Sequence, residues 1–529
     1  MKKISLTISA LVLVSSAVFS QGQLDAYKYA QTDLFGTARY LSMGGAFGAL
    51  GGDISAMSSN PAGLAVYRSS EIVTTLSLNS ASAESNWAGS KSSENRTRLF
   101  FDNIAYVGYF PTSNDAGIIG WNVGFSYNRV KNFSRNYSMR GNNSNYSLSD
   151  YMAARAYGWD KSVLDNTSSS YDPYSNPDLG DWLSILGYDA GIIDAYSDRS
   201  DAYTSTFGGN DQNGNWQNFQ LEGSELNVSE RGAIDKYDIA FGMNISDIVM
   251  LGATVSITDI SYHYNSYFAE DFTNRNYLEL ENWLDTEGTG YAFNLGAIVR
   301  PTDYLRLGVA YNSPVWYKMT DYYDGRASSD TEYWTNPITA YTPERAYSDY
   351  EFRAPDKWLF SAAAILGQTA LISVDYELTN YKNMKMYDHN GYENTVTNAD
   401  IRSNFGSSGT LRVGAEVKVT PQFAVRAGAA WIGNPMKDAL KNATEEVKTV
   451  GTIPNYTIEK GISNYTIGLG YRFTPSFYLD LACVLKSQKQ DLYAFSNIYD
   501  NMTDETISTP AASLKTNTTR VALTLGYKF

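Results

Sequence analysis

The chain has 529 residues, with 42 tyrosines, 42 glycines, 18% charged side chains, two histidines and one cysteine. Its net charge of −15 argues against a general nucleic-acid binder, which would show a basic patch or stripe. One cysteine excludes a disulfide scaffold, a Cys-rich zinc site and an iron–sulfur cluster, and two distant histidines leave little for metal or haem ligation. What remains fits a large, acidic, all-β protein with many turns.

Lys2 and Lys3 precede an apolar run, Ile4 to Phe19, broken only by Ser and Thr. With Val18-Phe19-Ser20 before Gln21, residues 1–20 read as a secretory signal peptide. The run is shorter than the ~20 residues that span a bilayer, and no cysteine follows it for lipid attachment. Losing Lys2 and Lys3 takes the charge from −15 to −17. No later stretch approaches the ~18 consecutive apolar residues of a membrane helix, so a spanning protein must be a closed β-barrel.

Residues 21–70 do not alternate. Small residues dominate them, including Gly44, Gly45, Gly48, Gly51 and Gly52. Their spacing is not G-x-G-x-x-G, no strand precedes them and no P-loop lysine follows, so they read as glycines for close packing. From residue 71 on, alternation of apolar with small or polar side chains predicts fourteen strands. They run over 71–80, 100–111, 118–131, 235–246, 248–263, 289–300, 304–318, 356–367, 369–384, 409–420, 422–433, 461–474, 476–490 and 516–529. Linkers alternate short and long, as tight periplasmic turns and long outer loops do. The longest covers 133–235. One face of nearly every segment carries Leu, Val, Ile, Tyr and Phe, and the other Gly, Ala, Thr, Asn and isolated charges. That is the pattern of a barrel in lipid, whose tyrosines and tryptophans form the interfacial girdles. The last strand ends on Tyr527 and Phe529, and a terminal Phe on such a strand resembles the signal read by the outer-membrane assembly machinery.

The stretch from Gly36 through Met43-Gly44-Gly45-Ala46-Phe47-Gly48, with Asp53 and then Ser59-Asn60-Pro61-Ala62-Gly63-Leu64, resembles the N-terminal hatch of the FadL/TodX outer-membrane transporters. Asn60, Pro61 and Ala62 match the family's hatch motif. Pro355-Asp356-Lys357-Trp358 and Val425 to Trp431 resemble its later strands. The resemblance implies a monomeric fourteen-stranded antiparallel barrel (71–529) in a Gram-negative outer membrane, plugged by its own N-terminus (21–70). A hydrophobic ligand, typified by a long-chain fatty acid or an aromatic hydrocarbon, would be captured outside and leave sideways at a kinked third strand. Gly120, Asn122 and Gly124 lie on that strand and mark either a kink or a roomy lumen.

Chemistry finds few candidates. There is no H-E-x-x-H, G-x-S-x-G or CxxC, and His263 and His389 read as surface residues, so no enzyme, metal or cofactor is expected. Arg306, Arg412, Arg426, Arg472 and Arg520 fall on the small/polar face, as do Asp375 and Glu377. These arginines would hold a ligand carboxylate or brace the plug by ion pairs. After Pro177 and Asp178, the residues Trp182, Ile185, Leu186, Ile192 and Ile193 recur at near-helical spacing. They form either an exposed first docking site for a greasy ligand or a face packed onto the barrel rim. With no ATP motif, the expected activity is passive uptake, with outer-membrane lipid, the hydrophobic ligand and the assembly machinery as partners. Surface adhesion through the 133–235 loop and a haemin-receptor-like role, with tyrosine on the iron, are the alternatives.

Overall fold

The structure is a computed structural model that describes residues 22–142, 145–166, 171–176, 181–210, 216–367 and 369–529. The signal sequence and Pro177-Asp178 lie outside the described residues. Alternating side chains make each wall segment two-faced, and a closed sheet satisfies every backbone group without an edge. Fourteen antiparallel strands do so here: β1 (Glu71–Trp87), β2 (Ser90–Pro111), β3 (Ile118–Asn132), β4 (Leu221–Ile245), β5 (Val249–Phe272), β6 (Tyr277–Val299), β7 (Leu305–Asn312), β8 (Lys357–Leu366), β9 (Ala370–Asn380), β10 (Ser407–Lys418), β11 (Phe423–Ile432), β12 (Tyr456–Arg472), β13 (Phe477–Tyr493) and β14 (Ala512–Lys528). Each pairs with the next, and β14 pairs back onto β1 from Glu71↔Lys528 to Asn86↔Ser513, closing the barrel.

The outward face is lipid-like. Ile239, Phe241, Val255, Ile257, Leu295 and Ile467 are all exposed on it. Exposed aromatics fall in two tiers, as interfacial girdles do. Tyr237, Tyr291, Trp358 and Trp431 lie eight residues above the periplasmic ends of their strands, with Trp316 beside Tyr291, and Phe110, Trp121, Phe473, Tyr527 and Phe529 lie at the periplasmic ends. Phe110 stacks on Trp121 with ring centroids 4.1 Å apart.

Several strands run well past the bilayer. β1 and β2 extend to Trp87 and Ser90 and join through Ala88-Gly89, both with positive φ, where the sequence pattern suggested a loop of about twenty residues. The reason is composition. Above Ser80 the outer face meets water instead of lipid, while Ala81, Ala83, Ser85 and Trp87 stay buried on the inner one, so Ser, Asn, Glu and Lys fill the outer positions and apolar alternation stops while the ladder continues. β5 and β6 likewise rise together to the short turn at Thr273–Arg275. The expected strand 304–318 is interrupted at Ser313-Pro314-Val315, because proline cannot donate to a ladder. The chain then continues as Trp316–Asp330, still paired to β6.

The N-terminal segment threads the lumen. Helix α1 (Gln23–Ala30) lies at the outer end, where Asn404 donates to Gln23 Oε1 at 3.1 Å and Tyr27 packs on Tyr381 and Phe405. The chain then descends through the short helices Ala38–Ser42 and Ala56–Ser59 and the 3-10 turn Pro61–Val66 to the start of β1. Glycines on the inner wall receive it. A Cβ on Gly252 would lie 2.2 Å from the Pro61 carbonyl carbon, one on Gly296 1.9 Å from Asn60 Oδ1, and one on Gly308 2.4 Å from Gly48 O. Gly414 and Gly428 stand as close to Met43 on the opposite wall. Gly242, Gly252 and Gly296 are register partners across β4, β5 and β6, so they form one horizontal row.

Above the barrel, the described residues of the 133–220 connection form a packed cap. Helix α2 (Trp182–Asp189) buries Ile185 and Leu186, and Ile192 and Ile193 are buried just beyond it. Trp182 stacks edge-on to Tyr174 and Tyr323. In this conformation the face suggested as an exposed docking surface is therefore core, because its side chains fill the space between the cap and the strand Trp316–Asp330. In helix α3 (Leu148–Ala156), Ser147 and Asp150 form a capping box at the N-terminus. Ser147 and the Leu148 N–H donate to the buried carboxylate of Glu270 at 2.6 and 2.9 Å. Burial pushes Asp150 up to about 6. Glu270, some twenty residues along β5 and well above the lipid-facing stretch, is pushed up to about 8 by the same cause.

Candidate functional site

The plug is fixed by buried charge. Arg39 binds Glu416 at 2.9 Å, and Arg426 binds the same carboxylate at 2.6 Å and Asp480 at 2.5 Å. Two arginines and two carboxylates thereby satisfy one another inside the lumen. Arg39 also donates to Gly52 O, and Thr37 donates to Asp53 at 2.8 Å. Asn60 holds the hatch turn together: its Nδ2 donates to Gly48 O at 2.6 Å, while its Oδ1 accepts from Ala62 N at 3.2 Å. Pro61 starts the turn, where a missing N–H costs nothing. Gly44 and Gly45 adopt positive φ, Gly44 with its backbone against Ala429.

Two cavities lie between this segment and the wall. The outer one, about 240 Å³, is lined by Leu24, Tyr27, Phe100, Phe133, Leu284 and Ile453, together with ten basic and six acidic residues. The deeper one, about 140 Å³, is lined by Tyr29, Phe35, Tyr40, Val130, Ile234, Val315 and Tyr317 among others. Both touch Thr32, Asp33 and Leu34, so this short piece of plug is the partition between them. It is tied down on three sides. Asp33 N donates to Val130 O at 2.8 Å, Lys486 binds Asp33 at 2.6 Å, and Arg520 donates to Leu34 O at 2.9 Å.

Four of the five lumen arginines read from the sequence are engaged by protein groups. Arg306 donates to Leu50 O, beneath the hatch. Arg412 pairs with Glu377 at 2.9 Å and lines both cavities. Arg426 belongs to the buried quartet. Arg520 pairs with Asp102 at 2.7 Å and lines the outer cavity. Arg472 is exposed at the periplasmic end of β12, while Asp375 accepts from Gly48 N at 2.9 Å. Tyr527 and Phe529 stack at 6.2 Å on the outer surface, and the Phe529 N–H donates to Ser70 O at 3.0 Å.

On β3, the ladder to β2 runs from Pro111↔Gly120 to Asn103↔Asn128 without a break at Gly120, Asn122 or Gly124. These residues make room for the plug. A Cβ on Gly124 would meet Met57 Sδ at 2.3 Å, and Asn122 donates to Tyr67 O at 3.5 Å. On its other edge β3 shifts register against β4 at Ile118/Gly120 and again, higher, at Arg129/Lys131, and β2 carries a bulge at Asp102, opposite the Thr75/Leu76 step. Above Asn103 and Asn128, β2 pairs only with β1, and β3 only with β4. The wall is therefore unpaired between the two strands at this height. The outer cavity reaches this gap from both sides, through Arg96, Arg98, Phe100 and Asp102 on β2 and Arg129, Lys131 and Asn132 on β3.

Sequence reasoning missed Phe100, Arg129, Lys131 and the pair Arg135–Glu230. Lys131 is buried and donates to Lys28 O at 2.6 Å and Gln31 Oε1 at 3.2 Å. A lysine in the inward register of a strand was the one available signal. Among the described residues no cluster of His, Cys, Asp or Glu could hold a metal ion.

A closed fourteen-stranded barrel with a lipid-facing exterior, its own N-terminal segment in the lumen and enclosed cavities beneath an outer cap defines a plugged outer-membrane transport channel. The chain belongs to the family described as outer membrane protein transport protein (OMPP1/FadL/TodX), whose family model matches residues 233–529. Among solved structures, a Pseudomonas aeruginosa FadL homologue is 14% identical, with a TM-score of 0.51 over 94% of this chain and 99% of that one. The Pseudomonas putida toluene transporter TodX is 11% identical at a TM-score of 0.49, again covering 94% and 99%. The Ralstonia pickettii toluene transporter TbuX is 12% identical at 0.46 over the same shares. No curated protein sequence matches the chain. Family membership places the protein in the outer membrane of a Gram-negative bacterium, among transporters of hydrophobic compounds.

Proposed function

We propose that this protein is a passive uptake channel for hydrophobic small molecules with an acidic head group, long-chain fatty acids above all. Ligand enters beneath the outer cap, rests in the cavity beside α1, and leaves sideways between β2 and β3. The observation that carries this reading is the outer cavity meeting the unpaired stretch of wall above Asn103 and Asn128. Apolar walls suit a chain, and the excess of basic over acidic lining residues suits a carboxylate. Transfer follows the gradient. The residues Thr32 to Leu34 would act as the gate to the deeper cavity.

The test is uptake of labelled oleate into cells that depend on this protein, compared with toluene, together with mass spectrometry of lipids that co-purify in mild detergent. Oleate uptake above an unrelated barrel is expected. Oleate binding no stronger than to that barrel would refute the fatty-acid reading, and toluene uptake without oleate uptake would move the ligand to neutral aromatics.

A further inference from the structure

On β5, Ser261 and His263 are two residues apart, so the alternation of the strand turns both outward. The ladder to β6 sets Asp285 directly across from His263, and the ladder to β4 sets Arg231 on its other side. The side chains meet: Ser261 Oγ is 3.3 Å from His263 Nε2, and His263 Nδ1 is 2.5 Å from Asp285 Oδ1. With Nδ1–H donating to Asp285, Nε2 is left to accept the Ser261 proton. This is the arrangement of a nucleophile, its general base and the group that orients the base. Among the described residues none of the three side chains has another hydrogen-bond partner. His263 does lie on the surface, as its sequence position suggests, but in company that no motif announces. The serine stands on a strand instead of a G-x-S-x-G elbow, and the carboxylate belongs to the next strand.

The level of the site narrows the substrate. Tyr237 and Tyr291 of the upper aromatic tier flank Ile257 on β5, all three exposed. The next outward row is Asp235, Asp259 and Thr289, and Ser261 stands one row above that, between Ala233 and Glu287. Two rows of tilted strand raise it about 10 Å above the tier. A lipid seated in the leaflet keeps its ester linkages at or below the tier. The His263 and Asp285 side chains, by contrast, are 46% and 50% exposed to water. The site thus meets esters that arrive from outside. Arg231 is exposed and outside every described hydrogen bond and ion pair. Its guanidinium can receive an oxyanion, which the backbone cannot, because the ladders on both sides use the N–H groups of this row.

We propose that Ser261 and His263, positioned by Asp285, hydrolyse carboxylic esters reaching the outer wall of the barrel from the external medium. The Ser261 oxygen bonds to the carbonyl carbon while its proton passes to His263 Nε2, and Arg231 faces the oxygen that becomes negative. The bond to the alcohol then breaks, and the alcohol leaves with the proton from Nε2. In the second half water gives a proton to Nε2 and bonds to the acyl carbon. The bond to Ser261 breaks, and the serine takes that proton back. The products are an alcohol and a carboxylic acid, with water as the only co-reactant. None of these four residues lines either cavity, so the proposal does not rest on the transport reading.

The experiment follows nitrophenol release from p-nitrophenyl butyrate by the full mature protein in maltoside micelles. Oleate release is followed from dioleoyl phosphatidylcholine vesicles carrying the same protein. A fluorophosphonate and peptide mass spectrometry locate the nucleophile. Wild type should cleave the butyrate ester, leave the phosphatidylcholine intact and carry the phosphonyl group on Ser261. Ser261→Ala should abolish labelling and lower kcat at least about a hundredfold, and His263→Gln should do the same. Arg231→Gln should cost about tenfold or more. Asp285→Asn should lower kcat with KM unchanged, and Asp285→Glu should restore part of it, which a merely structural carboxylate would not do. Heat-modifiable gel mobility reports that each barrel is folded. No turnover by folded wild type, equal turnover in Ser261→Ala, or a label on another residue overturns the proposal. Cleavage of the phosphatidylcholine would overturn the argument from height and make a membrane lipid the substrate. Oleate uptake should be the same in Ser261→Ala as in wild type, whatever the wild-type value, so the two readings fail separately.

Discussion

Gly252→Ala isolates the contact between hatch and barrel. Gly252 is an ordinary extended residue of β5, so alanine carries no backbone penalty there, and it even removes unfolded-state freedom worth about 0.4–1 kcal/mol. Any loss must come from the new methyl group. It would lie 2.2 Å from the Pro61 carbonyl carbon, 2.3 Å from its oxygen and 2.4 Å from Ala62 N, all backbone atoms that cannot rotate away. Ordinary contact is about 3.5–4.0 Å, so the 3-10 turn must retreat by more than about 1 Å. Overpacking of this kind costs about 1–3 kcal/mol. If Asn60 moves with the turn, its 2.6 Å bond to Gly48 O adds about 1 kcal/mol. A total near 2–4 kcal/mol displaces the seated hatch by roughly 30- to 700-fold. Single-channel recording in planar bilayers should then show new open events, and the thermal midpoint by circular dichroism should fall. Gly223→Ala is the control, because a Cβ there meets nothing within 4 Å and its midpoint should hold or rise. A Gly252→Ala protein with wild-type conductance and midpoint would refute the argument that the glycine row seats the hatch.

Arg426→Met leaves Glu416 and Asp480 with less countercharge inside the lumen and should cost about 3–5 kcal/mol, read as a lower temperature of heat-modifiable unfolding. Adding Asp480→Asn should recover part of the loss, and no recovery would argue against the pairing. The cap should loosen as pH rises. Folded-state values of about 6 for Asp150 and about 8 for Glu270 lie above ordinary carboxyl values, so their stabilising contribution is complete below about pH 4. It is lost as pH rises through about 6 and then about 8. Hydrogen exchange of 148–156 should therefore quicken between pH 5 and 9 beyond its intrinsic chemistry, and Glu270→Gln should remove the upper part of that change. Leu99→Cys, with Cys483→Ser to remove the native thiol, should lose most uptake after reaction with a bulky maleimide. The same label at Leu295, far round the barrel, should leave uptake intact, and equal effects at both positions would argue against exit beside β2.

The lipid-facing half of this fold was legible because one physical demand, apolar outside and small inside, repeats every second residue. It placed all fourteen wall strands. It failed wherever that demand ends. The Ser80–Trp87 and Ser90–Arg98 arms rise above the lipid, with water on the outer face and Ala83, Ser85 and Trp87 buried on the inner one, and Trp316–Asp330 follows a proline that breaks the pattern. The site was less legible for a different reason. Phe100, Lys131, Arg412, Lys486 and Arg520 come from five strands and meet only through barrel closure. Gly252 and Gly296 were visible as small inward residues, but that they face Asn60 and Pro61 is a contact across about 200 residues, which no local period encodes. Arg306, Arg412, Arg426 and Arg520 do face the lumen while Arg472 ends exposed at the periplasmic end, and the partners of the four, from Glu377 to Leu34 O, depend on the path of the plug.

That path has a bearing on how the molecule comes into being. The segment from Gly22 to Ser70 runs the length of the lumen, from beneath the cap to the foot of β1, and β1 is one half of the seam that β14 completes. A thread anchored in the seam at its lower end and lodged among outer loops at its upper end cannot be pushed into a finished cylinder. The sheet has to curl around it, with the β1–β14 zipper as the final stitch. Because the quartet around Arg426 draws on the plug, β10, β11 and β13, a vacant lumen would leave Glu416 short of a countercharge as the walls came together. The hatch is thus a template for the barrel as well as its stopper.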